Sequence, residues 1–72
     1  MTIDELSAEA DTTTRNVRSY QTQGILPPPR LVGRTGYYDE GHLGRLRLVD
    51  RLQGQGFSLA GIAELLRAWE ER

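Results

Sequence analysis

Nine arginines and no lysine supply the cationic side chains of this 72-residue chain, with one histidine, His42. Arg15 and Arg18 recur at helical spacing with Ser19 and Thr22, just after the run Thr12-Thr13-Thr14. A guanidinium is planar, permanently charged and carries a fork of N–H donors that suits phosphate oxygens and base edges. The chemistry these residues can do is anion recognition. Little here supports bond-making: there is no cysteine, no second histidine beside His42, no Gly-rich phosphate loop and no nucleophile elbow. One imidazole and no thiolate leave too few ligands for zinc, so neither an enzyme nor a bound metal or cofactor is expected. An arginine-only inventory also arises from genomic base composition, so residue type alone does not decide the partner.

Position sharpens the matter. The formal net charge is −1, but residues 1–11 carry −4, residues 12–52 carry +4 and residues 53–72 carry −1. A basic middle between acidic ends steers an anion whatever the total. The length allows one small domain, of a size that buries only about 60% of the surface of its unfolded chain. No apolar run approaches the roughly 20 residues of a membrane span. The opening MTIDELS is acidic where a signal peptide is basic. A cytoplasmic chain without a membrane partner is expected.

The elements that must position the arginines are short. Thr2 with Glu5 has the form of a capping box, and Ile3, Leu6 and Ala10 line one face of a first helix over 3–10. TTTRNVRSYQTQG starts on threonine caps and stops at Gly24. Turned at helical pitch, it puts Val17, Tyr20 and Thr13 on one side and Arg15, Arg18, Ser19 and Thr22 on the other. Two short helices joined by two or three residues, the second basic outside, have the layout of a helix-turn-helix; an ordinary helical corner with a solvated face has it too.

ILPPP cannot be helical, because proline lacks an N–H and pushes its predecessor toward extended backbone. It is an extended strut. RLVGRTGYY then reads as a two-stranded wing over 30–32 and 36–38, turned at Gly33-Arg34-Thr35-Gly36, with an irregular loop as the alternative. Asp39 caps a third helix over 40–53, whose apolar face holds Leu43, Leu46, Leu48, Val49 and Leu52. Arg45 lies inside that arc, its stem packed and its head expected to emerge near the wing. Arg47 and Arg51 lie on the wet face. Gly54 and Gly56 break the helix. Ser58 caps a fourth, with an apolar stripe of Leu59, Ile62, Ala63, Leu65, Leu66 and Trp69 that is wide for so small a domain.

The motifs TIDELSAEADTTTRNVRSYQTQGILPPPR, GYYDEGHLGRLRLV and GFSLAGIAELL, in this order and spacing, closely resemble the N-terminal DNA-binding domain of the MerR family of bacterial transcription regulators. The resemblance covers essentially all of residues 1–72. It implies a mostly α fold with a small β wing, a winged helix-turn-helix of four helices and a two-stranded hairpin. It further implies double-stranded promoter DNA as partner and a homodimer in the full-length protein. RNA polymerase is engaged indirectly, through distortion of an over-long promoter spacer. Carried over by position, Arg18 and Tyr20 stand at the recognition helix's Arg and Tyr, Tyr38 at the wing tyrosine and Arg45 at the arginine of the third helix. Thr13, Thr14, Arg15 and Asn16 are candidates to read bases, with an inward Asn16 as the alternative. Ser19, Arg30 and Arg34 complete the candidate surface. His42, in the first turn of helix three, is expected at the surface or facing a phosphate. Only one of Tyr37 and Tyr38 can point inward.

Some positions depart from the family habit. Ser19 and Gln21 replace the commoner Tyr and Glu. The wing arginine is replaced by Gly36, leaving Arg34 to supply that charge. Family members continue into a long dimerisation helix and an effector domain, whereas this sequence ends at Arg72. It is therefore expected to be part of a longer regulator, or else a minimal architectural, excisionase-like DNA-binding protein. Alone, it is expected to be a monomer or weak dimer, because tight binding needs two half-sites held together.

Overall fold

The computed structural model describes residues 1–70, in the order α1 (Ile3–Glu9), α2 (Thr14–Thr22), β1 (Arg30–Val32), β2 (Thr35–Tyr37), α3 (Glu40–Gly54) and α4 (Leu59–Glu70). Every helix starts on a side chain that accepts an otherwise orphaned amide proton. Thr2 and Glu5 form the reciprocal capping box at α1, with Thr2 N–H to Glu5 Oε1 at 2.9 Å and Glu5 N–H to Thr2 Oγ1 at 3.3 Å. The Thr2 amide, then the Thr2 hydroxyl, hold the Glu5 carboxyl below its ordinary pKa. Thr13, Asp39 and Ser58 cap α2, α3 and α4, each accepting from an amide two or three residues ahead.

The first three helices stop by one device. After α2, Gly24 takes φ +76°, Gly24 N–H bonds to Gln21 O, and Ile25 N–H bonds to Tyr20 O. After α3, Gly56 takes φ +100°, with Gly56 N–H to Gln53 O and Phe57 N–H to Leu52 O. After α1, Asp11 N–H bonds to Ala8 O and Thr12 N–H to Ser7 O, with Asp11 at φ +54°. Each is a Schellman motif, in which a left-handed residue lets two amides reach back to terminal carbonyls. Asp11 does so with a side chain, at a conformational cost that glycine avoids.

Three expected boundaries shift. The first helix stops at Glu9, with Ala10 as its cap, because Asp11 turns left-handed. Gly54 is the last residue of α3 rather than its breaker, with Gln55 as the cap and left-handed Gly56 turning the chain away. The second strand is Thr35–Tyr37 and excludes Tyr38, whose N–H and C=O pair instead with the backbone of Met1 at 2.6 and 2.7 Å.

The core has two clusters, and consecutive residues of the strut feed them. Leu26 packs with Leu6, Val17, Tyr38, Leu43 and Leu46, while Ile25 packs with Val49, Ile62 and Leu66. Fully burying each such aliphatic side chain stabilises by about 1.5–3 kcal/mol. Ile25 and Leu26 therefore pin the end of α2 to both clusters before the prolines lead the chain away. Tyr20, half-buried, packs against both. On α4, Leu65 and Trp69 remain exposed, so the wide stripe is only partly used.

The wing is a two-residue hairpin with Arg30 opposite Tyr37, Leu31 opposite Gly36 and Val32 opposite Thr35. Gly33, at φ +63°, is the only left-handed residue of its tip. Positive φ at the first central position alone is the signature of a type II′ turn, whose twist matches that of the strands. At the wing's root the Pro29 ring lies over Gly36, where an added Cβ would fall 2.9 Å from Pro29 Cγ.

Candidate nucleic-acid interface

The α1–α2 turn delivers the start of α2 as an exposed end. Thr13 and Thr12 are tied by Asn16, whose amide donates to Thr13 Oγ1 at 3.1 Å and whose Nδ2 donates to Thr12 Oγ1 at 3.2 Å. Asn16 is exposed and does not enter the core. Thr14 is half-buried beside it. Arg15, Arg18, Ser19 and Thr22 are all exposed, and their i, i+3, i+4, i+7 spacing makes one strip. Among the described residues no carboxylate lies within 4 Å of Arg15 or Arg18, so both guanidinium charges are uncompensated. Ser19 Oγ accepts from Gln23 Nε2 at 2.9 Å, and Thr22 Oγ1 donates to the Arg18 carbonyl at 3.1 Å. Arg30 and Arg34 add two exposed cations on the wing.

Three expected surface residues, Tyr38, His42 and Arg45, lie elsewhere. Tyr38 is 6% exposed, its ring in the first cluster and its Oη donating to Gln21 Oε1 at 3.3 Å. Of the two adjacent tyrosines it is the inward one, because its backbone leaves the strand to pair with Met1. Tyr37 is the outward one. His42 is 7% exposed rather than at the surface. Its Nε2 lies 3.2 Å from the Pro28 carbonyl, to which it can only donate, and its Nδ1 lies 3.1 Å from the Asp39 amide nitrogen and 3.0 Å from Asp39 Oδ1. The ring stands edge-on to Tyr38, with centroids 5.0 Å apart. His42 thus fastens the proline strut to α3. Its amide, then its side chain, hold the Asp39 carboxyl below its ordinary pKa.

Arg45 does not emerge near the wing. Its Nη1 donates to the Ile25 carbonyl at 3.0 Å and its Nη2 to Glu70 Oε1 at 2.9 Å. Ile25 is fully buried, and its carbonyl has left the helix ladder, so a donor must come from outside. Tyr20 spends much of its ring on packing between the two clusters. Sequence reasoning missed the partners Gln21, Gln23 and the Pro28 carbonyl. Only Gln23 carried a signal, its i+4 spacing from Ser19.

A helix, a tight turn, a second helix with an uncompensated cationic strip, and a wing held beside it by a stiff strut define a winged helix-turn-helix. Residues 1–69 match the MerR HTH regulatory protein family, and the chain belongs to it.

Among its relatives is the mercuric resistance operon regulatory protein of Serratia marcescens, 40% identical over 68 residues that make up 93% of this chain and 47% of the relative. The ZntR homolog of Haemophilus influenzae, an HTH-type transcriptional regulator, is 36% identical over 67 residues, 92% of this chain and 50% of the relative. The transcription regulator PbrR691 of Ralstonia metallidurans CH34, solved in complex with lead(II), superposes with a TM-score of 0.89 at 38% identity. That match covers 99% of this chain and 56% of the other. The chain spans about half the length of the curated relatives it matches.

Proposed function

We propose that this domain binds double-stranded promoter or operator DNA and serves as the DNA-binding part of a longer, dimeric, effector-responsive regulator. The observation that carries the reading is the uncompensated strip Arg15, Arg18, Ser19 and Thr22 on the second helix of a helix-turn-helix. In this reading α2 lies in the major groove. Thr13, Thr14 and Arg15 reach base edges from its first turn, while Arg18, Ser19, Arg30 and Arg34 hold phosphates. Tyr38, His42 and Arg45 support from behind, fixing the strut, wing root and α3. Tyr20 adds only its hydroxyl edge. Catalysis has no part in it.

Relatives named as regulators favour promoter control over a stand-alone architectural role. Their names also point to metal-responsive regulation. In this reading effector recognition belongs to the remainder of the longer regulator, as the half-length match to the relatives supports. RNA polymerase is engaged indirectly through the shape of the promoter, and the 72 residues alone are a monomer or weak dimer.

Duplex binding measured by fluorescence anisotropy across a salt series tests this. The logarithm of affinity should fall with the logarithm of salt concentration at a slope of about −0.9 per neutralised phosphate. Arg18→Ala should weaken binding to every sequence and reduce that slope by about 1, whereas Arg15→Ala should also relax base preference at one position. No duplex binding at low salt would defeat the proposal. Equal, sequence-blind losses in both variants would remove Arg15 as a reader.

A further inference from the structure

The first turn of α2 carries a donor–acceptor pair whose direction is fixed before anything binds. Asn16 is exposed, and its Nδ2 donates to Thr12 Oγ1 at 3.2 Å. Thr12 is half-buried and held in turn, because its amide closes the Schellman motif of α1 on the Ser7 carbonyl, just after left-handed Asp11. The backbone amide of Asn16 donates to Thr13 Oγ1, so the helix cap and the side-chain bond are separate. An asparagine carboxamide has two N–H donors and one acceptor oxygen. Thr12 takes one donor, and among the described residues nothing takes the second donor or the oxygen. What remains is Oδ1 beside one N–H, an acceptor and a donor in a single plane. Because the side chain is already tied, less of its freedom is lost on binding.

In the major groove that pair has one full match. Adenine presents N7 as acceptor and its N6 amino group as donor; guanine presents two acceptors, cytosine one donor and thymine one acceptor. Guanine would set Oδ1 against O6, and either pyrimidine satisfies only one of the two groups. We propose that Asn16 reads an adenine, with Oδ1 accepting from N6 and Nδ2 donating to N7, and that Thr12 is its positioning residue. This rests on the DNA-binding reading above and deepens it, by naming the base that the first turn of α2 selects. The neighbouring guanidinium groups do not make that choice, because a fork of donors matches guanine instead. The left-handed turn at Asp11 then has a use: it sets the Thr12 hydroxyl one helical turn before Asn16, within reach of its amide.

The test starts from duplexes selected out of a random-sequence pool by the 72-residue chain and, separately, by its Asn16→Ala variant. Asn16→Ala keeps the Thr13 cap, since the backbone makes that bond. The variant should lose base preference at one position, and there wild type should prefer adenine about tenfold over any other base. In the wild-type duplex that adenine is then replaced by 7-deazaadenine, which lacks the N7 acceptor, and by unsubstituted purine, which lacks the N6 amino group. Each replacement should weaken wild type about fivefold, as the loss of one hydrogen bond does, and leave Asn16→Ala unaffected. Thr12→Val removes the hydroxyl at nearly constant shape; it should lose most of the adenine preference with an unchanged salt slope, and Thr12→Ser should restore it. A merely structural Thr12 would instead weaken binding to all sequences alike. Far-ultraviolet circular dichroism confirms that the variants fold, and the base replacements need wild type only. Wild type indifferent to either replacement, or an Asn16→Ala variant that selects the same sequence as wild type, would overturn the proposal while leaving DNA binding intact. So would guanine or a pyrimidine at the position that the variant ceases to read. Thr12→Val as discriminating as wild type would overturn the role of Thr12. A wild type that selects no sequence at all would overturn the DNA-binding reading with it.

Discussion

Gly36→Ala tests whether the wing's direction is set by a steric fit at its root. The new Cβ would fall 2.9 Å from Pro29 Cγ and 3.2 Å from Pro29 Cβ, well inside the roughly 3.5–4 Å at which carbon pairs gain dispersion energy. A proline ring cannot rotate out of the way as a long side chain does, because its backbone dihedral is fixed. Forced overpacking of one methyl costs about 1–3 kcal/mol. Alanine's smaller unfolded-state freedom returns about 0.4–1 kcal/mol, since Gly36 is not left-handed. A net loss of about 1–2 kcal/mol remains, and in a domain of this size each kcal/mol lowers Tm by about 4–8 °C. The assay is thermal unfolding of wild type, Gly36→Ala, Pro29→Ala and the double variant. Removing the ring should abolish the cost of the alanine, giving a coupling of at least about 1 kcal/mol. Equal costs of Gly36→Ala with and without Pro29 would refute the fit.

Asp11→Gly should raise stability by about 0.5–1 kcal/mol: the left-handed cost of about 1–2 kcal/mol is relieved and about 0.5–1 kcal/mol of glycine entropy is spent. A lowered Tm would show that Asp11 makes a compensating interaction. The Asp39 carboxyl is held below its ordinary value of 3.8 by His42, so its stabilisation is complete above that pH and fades as pH falls toward its folded value. Asp39→Asn keeps an equally good cap without a titrating group, and should flatten the fall of the urea midpoint between about pH 5 and about pH 2; parallel curves for the variant and wild type would contradict the assignment. Arg45→Met keeps the stem but strands the Ile25 carbonyl, and should cost about 1–3 kcal/mol. Glu70→Gln breaks only a half-exposed ion pair and should cost at most about 1 kcal/mol. Equal losses in urea denaturation would mean that the ion pair, not the carbonyl, matters.

Features legible in the sequence were those whose cause is local. Thr2, Thr13, Asp39 and Ser58 announce helix starts because a cap acts within three residues, and Gly24 ends α2 through its own φ angle. The exposed strip of α2 follows from periodicity alone. Asp11 gave no stop signal, because aspartate only occasionally takes the left-handed conformation. The fates of Tyr38, His42 and Arg45 were illegible for a different reason. Each is decided by a distant partner: Met1 and Gln21 for Tyr38, Pro28 for His42, and Ile25 and Glu70 for Arg45. Position in the family pattern marks Tyr38 and Arg45 but not His42, and it does not say which buried partner each will find.

Pro29 and Gly36 form one steric fit in space. The third proline and the missing wing arginine lie seven residues apart in sequence, yet the Pro29 ring occupies the volume that any side chain at position 36 would need. Given Pro29, only glycine fits at Gly36 without displacement, and an arginine would have to push the strut away from the strand. The gain is stiffness: proline removes backbone freedom at the root of a hairpin that would otherwise hinge. The loss is a cation on the strand, and Arg34 at the tip then stands farther out along the wing. In the DNA-binding reading, a charge at the tip rather than the root changes which phosphate the wing can reach. Placing an arginine at 36 should therefore require changing Pro29 as well, and Gly36→Arg alone should lower Tm more than Gly36→Arg combined with Pro29→Ala.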